Sequence, residues 1–260
     1  RFRREHECEF LIFDETLISS IVLADMEGTT PIENTGQVRW FKRPTPGHTY
    51  MVSLDPSMGT GGDYAAIQVF ELPTFEQVGE WHHNQTPMNQ QVRILQGINK
   101  HIHDTIMEKD ASATPQIFYS MENNSIGEAA LMRVMDIGEE NIQGMFLSEP
   151  IRKGHRRKFR RGFNTTAKHK IDACTKFKEL VENDKMKINS QLLISEMKDF
   201  VASGLSYKAK PGQHDDLVSS CLLMTRMMKV LADFDPKIFE KWTDRTSEIT
   251  PMPIFGSFTG

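Results

Sequence analysis

The sequence predicts a mixed α/β fold, with helices flanking a sheet of which one half is an antiparallel three-strand meander. The meander is indicated by three apolar runs between residues 50 and 81 that are joined by short connections. Beyond them, apolar residues at helical spacing alternate with two further runs of strand length. A chain of 260 residues with 38% hydrophobic side chains can bury one sizeable core. We therefore expect one large domain with appendages.

Capping and turn signals place the elements along the chain. Residues 1–46 mix charge, Gly and Pro with brief apolar runs and are predicted to be an interdomain lead-in rather than part of the core. The domain is expected at 47–232, followed by a tail at 233–260. The predicted strands are 50–54, 63–72, 76–81, 116–121 and 144–147. The predicted helices are 88–109, 123–137, a helix capped by Asn164 or Thr165 with Ile171, Cys174, Phe177 and Val181 on its apolar face, and 214–231.

Composition argues against several classes of protein. No apolar run approaches the roughly 20 residues of a membrane span, and the N-terminus lacks a signal-peptide layout. A cytosolic protein without a membrane partner is therefore expected. Cys8, Cys174 and Cys221 lie far apart without CxxC spacing, which argues against a disulfide framework and against a zinc site. Because the chain begins with Arg1 rather than Met, we expect a further region before it.

Acidic residues occupy strand ends and a helix start, where an α/β sheet can bring distant side chains together. Asp55 ends the first strand of the meander, Glu122 follows the strand at 116–121, and Asp215 and Asp216 open the last helix. If these two strands are neighbours, the carboxylates converge, and their mutual repulsion calls for a cation. Oxygen ligands favour Mg²⁺ or Mn²⁺, and two such ions roughly 4 Å apart can clamp a phosphodiester.

Each acid also has a purely structural interpretation. An Asp at a strand end is more often a turn former, and Asp215 at a helix start can be a cap. A purely structural role would have to hold separately for Asp55, for Glu122 and for the Asp215/Asp216 pair. The structural interpretation is therefore weaker for the whole group than for any single acid. Asp63 lies at the mouth of the hairpin that follows Asp55 and is a candidate further ligand or base. His214, beside the last two acids, is a candidate to orient a carboxylate or a phosphate.

A basic run follows Pro150. Although the net charge of the chain is −4, residues 151–170 contain no acid, and binding depends on the local potential. A charge run is usually a solvated face, but this excess of cations favours contact with the DNA backbone without base reading, so that sequence specificity is low. The candidate DNA-binding residues are Arg152, Lys153, Arg156, Arg157, Lys158, Arg160, Arg161, Lys168 and Lys170.

Four motifs follow one another along the chain: MVSLDPSMGTGGDYAAIQVF, FYSMENNSIGEAAL, RGFNTTAKHKIDACTKFKELVEN and KPGQHDDLVSSCLL. In this order they resemble the nuclease domain of the large terminase subunit of tailed bacteriophages, and the T-even-like type is most similar. The lead-in RFRREHECEF resembles the segment in which the ATPase domain of that protein gives way to its nuclease. The resemblance spans nearly the whole chain.

The resemblance implies a ribonuclease H-like fold of the resolvase and integrase type, and a metal-dependent cut of concatemeric viral DNA during genome packaging. It makes Asp55 and Glu122 metal ligands and takes the third ligand from the His-Asp-Asp run, where Asp216 is favoured and Asp215 stays open. Many relatives carry a further Asp where Ser219 stands, so we expect a second metal ion to bind weakly or only with DNA.

The resemblance also implies partners and a location. Expected partners are double-stranded DNA, an N-terminal ATPase domain of the full-length chain, the capsid portal and the small terminase subunit. The expected location is the host cytoplasm, at the viral prohead. Two other functions stay open: an actin-like phosphotransfer domain, since GTGG also follows a first-strand Asp there, and a catalytically silent module that docks on DNA or the portal.

Overall fold

A seven-stranded mixed sheet forms the centre of the molecule. The structure is a computed structural model and describes residues 16–150 and 161–234. The sheet strands are β1 (Glu33–Thr35), β2 (Val38–Trp40), β3 (Thr49–Asp55), β4 (Ala65–Leu72), β5 (Glu76–His83), β6 (Gln116–Met121) and β7 (Met145–Phe146), and a separate hairpin is formed by β8 (Phe200–Ser203) and β9 (Ser206–Ala209). The helices are α1 (Ser20–Asp25), α2 (Met88–Lys109), α3 (Ser125–Ile137), α4 (Ala167–Glu182), α5 (Gln191–Asp199) and α6 (Asp216–Phe234).

The strand order is β1-β2-β5-β4-β3-β6-β7. Strands β3, β4 and β5 form the predicted antiparallel meander. Strand β3 also pairs with β6 in parallel, with Leu54 opposite Met121, so that the carboxyl ends of both strands lie at the same edge of the sheet. The predicted mixed α/β fold with an antiparallel half is confirmed, and so is the adjacency of the two strands that lead into Asp55 and Glu122.

Helices cover both faces of the sheet. Side chains alternate along β3, so Met51 joins the core shared with α4, α5 and α6, whereas Val52 joins the core shared with α2 and α3. Because β3 is covered on both sides, its sequence is a nearly continuous apolar run. No helix among the described residues is long and apolar enough to cross a membrane.

The N-terminal part of the chain differs from the prediction. The sequence places residues 1–46 outside the core, but Leu17 and Ile18 are buried in it, and Trp40 is only 1% exposed. Strand β2 pairs with β5, where Trp40 lies opposite Gly79, and any larger residue than Gly there would collide with the indole ring. The prediction is wrong for these residues because three-residue strands are too short to show a period. That a further domain precedes the chain stays a prediction.

Candidate active site

The first two acids are placed by the parallel pairing of β3 and β6. Asp55 is the last residue of β3, and the backbone N–H of Glu122 donates to Leu54 O at 3.2 Å, which extends the pairing by one residue. Asn124 then caps α3 by accepting from Ile126 and Gly127, and its amide donates to Glu122 Oε2 at 3.1 Å. These hydrogen bonds fix the direction of the chain after Glu122.

Glycine at position 127 allows this turn. A Cβ atom on Gly127 would stand 1.8 Å from the carbonyl oxygen of Glu122, a distance that no side chain tolerates. The first turn of α3 can therefore pack directly on the backbone that carries the acid. We expect any substitution of Gly127 to move Glu122 away from Asp55.

Helix α6 brings the third acid to the same edge. Its first residue is Asp216, and Ser220, one turn later, exchanges hydrogen bonds with Ser53 on β3 at 2.8 to 3.1 Å. This contact locks α6 to β3 two residues before Asp55. Asp216 Oδ2 also accepts from the backbone N–H of Tyr64 at 3.4 Å, which ties it to the loop between β3 and β4.

The two adjacent acids of the His-Asp-Asp run face different partners. Asp215 Oδ2 lies 3.8 Å from Lys170 Nζ, whereas Asp216 Oδ2 lies 3.7 Å from His214 Nδ1. Asp63 and His214 are exposed, and the charge of Asp63 acts on Asp216. The structure therefore gathers Asp55, Glu122 and Asp216, with Asp215 beside them and Asp63 at the rim.

Burial and mutual repulsion both act on this group. Burial raises the pKa of Asp55 well above its usual value, and the negative charges of Glu122 and Asp216 raise it further. Burial, followed by the charge of Asp215, raises the pKa of Asp216 to about 6. Buried carboxylates that face one another are destabilised in the ionised form, so the group favours a bound cation.

Glu196 is a further acid at this site that sequence reasoning missed. Its Oε2 accepts from the backbone N–H groups of Leu217 and Val218 at 2.9 and 3.1 Å, so it caps α6 from α5. Burial, together with the charge of Asp216, raises the pKa of Glu196 to about 8. Glu196 lies mid-helix in a segment without a motif, and no local signal in the sequence could have identified it.

His82 lies behind the same acids. Its Nε2 is 3.6 Å from Glu196 Oε1, and Tyr64 stacks on its ring with centroids 4.1 Å apart. Burial, followed by the charge of Arg39, lowers the pKa of His82 to about 4. A neutral imidazole therefore lies between Tyr64 and Glu196, which is a structural position rather than that of a metal ligand.

A cavity of about 140 Å³ opens at this edge of the sheet. Asp55 and Glu122 line it together with Lys170 and Arg226, so acidic and basic side chains share the same space. The other lining residues are Thr165, His169, Ala173, Ser219, Leu222 and Leu223. A site of this kind can hold a phosphate beside a lysine and beside carboxylates that bind its counter-ion.

The basic run lies mostly beyond the part of the chain that the structure describes. Arg152, Lys153, Arg156, Arg157, Lys158 and Arg160 are outside the described residues. Arg161 pairs with Glu139, Lys168 is exposed in the first turn of α4, and Lys170 lines the cavity. The cap of α4 is Thr166, whose hydroxyl accepts from His169 N at 3.2 Å, rather than Asn164 or Thr165 as predicted.

The donor set at the sheet edge suits a divalent cation by its chemistry, because hard oxygen ligands fit Mg²⁺ or Mn²⁺. Glu122 and Asp216 both act on Asp55 through their negative charges. Within residues 16–150 and 161–234, no three His, Cys, Asp or Glu side chains stand close enough together to hold one ion. A bound ion would therefore have to bring the carboxylate of Asp216 closer to the other two.

Solved structures of similar fold include viral terminase nucleases. The large terminase nuclease of thermophilic phage G20c, solved with bound magnesium, is 18% identical, and the match covers 81% of this chain and 96% of that one with a TM-score of 0.59. The corresponding domain of Thermus phage P74-26 is 18% identical over 78% and 92% of the two chains, with a TM-score of 0.54. The terminase nuclease domain of human cytomegalovirus, soaked with Mn, is 12% identical over 86% and 98%, with a TM-score of 0.51.

These likenesses show a shared fold. The sequence itself matches the family model described as the terminase RNaseH-like domain over residues 52–227, a range that contains Asp55, Glu122 and Asp216. That range covers more than half of the chain and runs from β3 into α6. The chain therefore belongs to the terminase RNaseH-like domain family.

Proposed function

We propose that this chain is the nuclease domain of a phage large terminase subunit, a metal-dependent endonuclease that cuts concatemeric double-stranded DNA during genome packaging. The observation that carries the proposal is the placement of Asp55, Glu122 and Asp216 at one sheet edge, beside a cavity that Lys170 also lines. Membership of the terminase family supports it, as does the likeness in fold to the G20c and cytomegalovirus nucleases.

Asp55, Glu122 and Asp216 would hold Mg²⁺ or Mn²⁺, with a second ion joining once DNA is bound. A bound divalent ion supplies a nucleophilic water at neutral pH and stabilises the leaving oxygen. Asp216 is a better third ligand than Asp215, because Asp215 is already engaged by Lys170 and the charge of Asp216 acts more strongly on Asp55. Asp63 stands at the rim, where it can accept a proton or contact a further ion.

DNA would be held through its backbone. Lys170 lines the cavity beside the acids, and Lys168 and Arg161 lie on the same stretch of chain. Cations at these positions neutralise phosphates without reading bases, so affinity falls with salt and sequence specificity is low. The six cations of residues 151–160 would add to this surface.

The full-length protein would place this activity in a packaging motor. The resemblance of the lead-in supports an N-terminal ATPase domain, and the four ordered motifs support a T-even-like large terminase. Its partners would be the capsid portal and the small terminase subunit, and it would work in the host cytoplasm at the prohead.

Plasmid cleavage tests the activity. Wild-type protein with Mg²⁺ or Mn²⁺ should convert supercoiled plasmid to open and linear forms, and Asp55→Asn should lower the rate at least about 1000-fold, because losing a metal ligand removes several kcal/mol of transition-state stabilisation. Asp136→Asn, at an exposed acid near the end of α3, is the matched control and should cut normally. Equal cutting by the wild type and Asp55→Asn would refute the proposal.

Calorimetry separates a nuclease from a silent docking module. Titration of Mn²⁺ into wild-type protein should show binding that Glu122→Gln weakens at least about tenfold, a loss of about 1.4 kcal/mol. A docking module with purely structural acids would bind DNA but show no metal binding that depends on Glu122. The same titration with a DNA duplex present reports whether a second ion joins.

A further inference from the structure

Arg226 occupies an unusual position on α6. Its side chain is only 12% exposed, and its guanidinium contacts the chain on both sides of residues 151–160. On one side it pairs with Glu149. On the other, Nη1 donates to Thr165 Oγ1 at 2.9 Å and Nη2 donates to Asn164 O at 3.0 Å. It also lies over the ring of Phe163, 5.2 Å from the centroid.

The segment that Arg226 contacts is attached to the backbone of an active-site acid. Phe163 N donates to Met121 O at 3.1 Å, and Asn123 N donates to Phe163 O at 2.7 Å, so the two bonds bracket Glu122. Gly162 has a φ of +76° and approaches Met121 O so closely that a Cβ would lie 2.7 Å from it. The segment thus continues the sheet beside Glu122 and then enters α4.

We infer that Arg226 is a positioning residue that fixes the segment from Arg161 to Lys170 against the sheet edge, so that its cations meet the DNA backbone beside the acids. The inference rests on the proposed nuclease function. Arg226 lines the cavity, but its Nη1 and Nη2 already donate to protein oxygens and its charge is paired with Glu149. It therefore acts on DNA through the segment and does not itself bind a phosphate.

The choice of arginine supports this role. Its planar fork donates to several acceptors at once, whereas lysine carries the same charge at a single point. Arg226 also stands on the helix that begins with Asp216, ten residues earlier and about 15 Å along the axis. One helix therefore fixes both an acid of the site and the chain that carries Lys168 and Lys170.

The variant Arg226→Lys separates positioning from direct contact, because it keeps the charge and removes the fork. We expect its DNA affinity to fall and its salt dependence to flatten when a short duplex is titrated in EDTA between about 50 and 200 mM salt. Each phosphate contact contributes about 0.9 to the slope of log affinity against log salt, so losing the positioned cations should reduce the slope by about 1.8 or more. Lys168→Ala calibrates the loss of one contact, at about 0.9.

The control is Arg93→Lys, at an exposed arginine on α2, which should leave both affinity and slope unchanged. Glu149→Gln, which removes the anion paired with Arg226, should reproduce part of the effect, and the double variant should show less than the sum of the two losses. A reduction of the slope in Arg226→Lys no larger than that of Lys168→Ala would overturn the inference, since it would show that Arg226 does not position several cations.

Hydrogen exchange gives a second measurement that does not depend on DNA. In Arg226→Lys the amides of Asn123 and Phe163 should exchange at least about tenfold faster, because the bonds between them open locally, while amides in the middle of α6 stay protected. Unchanged exchange at both amides would also overturn the inference. If wild-type protein fails to bind or cut DNA, the proposed function fails, and the exchange experiment still decides whether Arg226 holds the segment.

Discussion

Two sets of buried carboxylates lie on the same sheet, and their surroundings differ. Glu80, on β5, is 1% exposed and has Arg39 Nη2 at 2.9 Å and the Ser190 hydroxyl at 2.6 Å. Glu71, on β4, is fully buried and contacts Lys42, His48 and the Tyr50 hydroxyl. For these two acids, here called the structural set, the chain itself supplies the cations and the hydrogen-bond donors.

The second set, here called the edge set, consists of Asp55, Glu122 and Asp216. Each of these acids has other acids nearby. Asp55 faces Glu122 and Asp216, and the nearby cation Lys170 stands 3.8 Å from Asp215 instead. A buried charge is costly unless it is paired, so a fold that only needed stability would not place carboxylates in this way. The contrast supports the proposed divalent-metal cofactor, whose charge would compensate the acids at this edge.

Breaking a pair of the structural set should destabilise the protein most. Arg39→Met leaves Glu80 buried without its cation, and we expect the free energy of unfolding to fall by about 3 kcal/mol. Arg39 meets Glu80 through charge rather than through a well-aligned N–H, so the loss is mainly electrostatic. Urea denaturation at neutral pH measures it. The control Arg43→Met, at a 67% exposed partner of Glu33, should change stability by less than about 0.5 kcal/mol. Equal losses in both variants would contradict the assignment of Glu80 to a structural set.

Glu196 lies between the two sets, since it has hydrogen-bond donors but also acidic neighbours. Its pKa of about 8 in the folded protein exceeds its ordinary value, so its contribution to stability is full below about pH 4.5 and is lost as the pH rises through about 8. Glu196→Gln cannot ionise and keeps an oxygen for Leu217 and Val218. In EDTA, its stability relative to the wild type should therefore increase by on the order of 2 kcal/mol between about pH 5.5 and about pH 7.5. A difference that does not change with pH would show that Glu196 titrates normally.

Local patterns in the sequence are sufficient to locate Asp55 and Glu122. Each follows a short apolar run, and the strand ends of a mixed sheet share one edge once β3 and β6 are paired. The His-Asp-Asp run before a long apolar helix marks Asp215 and Asp216 together, and the choice between them stays open at the level of sequence. In these cases, the signal and the candidate residue lie within a few positions of each other.

Residues that act across the fold cannot be found in this way. Glu196 caps a helix that begins 20 residues later, and Arg226 joins Glu149 to Asn164 from a helix packed on both. Trp40 is core because β2 pairs with β5, although its strand has only three residues. Their roles depend on tertiary contacts, which neither periodicity nor capping rules encode.

Removing an acid from the edge set should stabilise the protein when no metal is present. Asp55→Asn abolishes a buried charge with a raised pKa, so at about pH 7.5 in EDTA we expect the free energy of unfolding to rise by about 1 to 2 kcal/mol. Added Mn²⁺ should stabilise the wild type but not the variant. Thermal denaturation with and without Mn²⁺ measures both effects. The matched variant in the structural set, Glu71→Gln, should instead destabilise the protein, and a gain in stability there would erase the distinction between the sets.

Adding an acid to the edge set should change stability least. Ser219 lines the cavity with Asp55 and Glu122, and it lies three residues after Asp216, on the same face of α6. In Ser219→Asp the added carboxylate should lower metal-free stability by about 1 kcal/mol through repulsion and raise Mn²⁺ affinity about tenfold. Calorimetry and urea denaturation report the two effects, and Ser219→Asn, of similar size but neutral, should show neither. Because both effects arise from one charge, they must occur together: tighter Mn²⁺ binding without a loss of metal-free stability would mean that position 219 contacts the ion without facing the other acids.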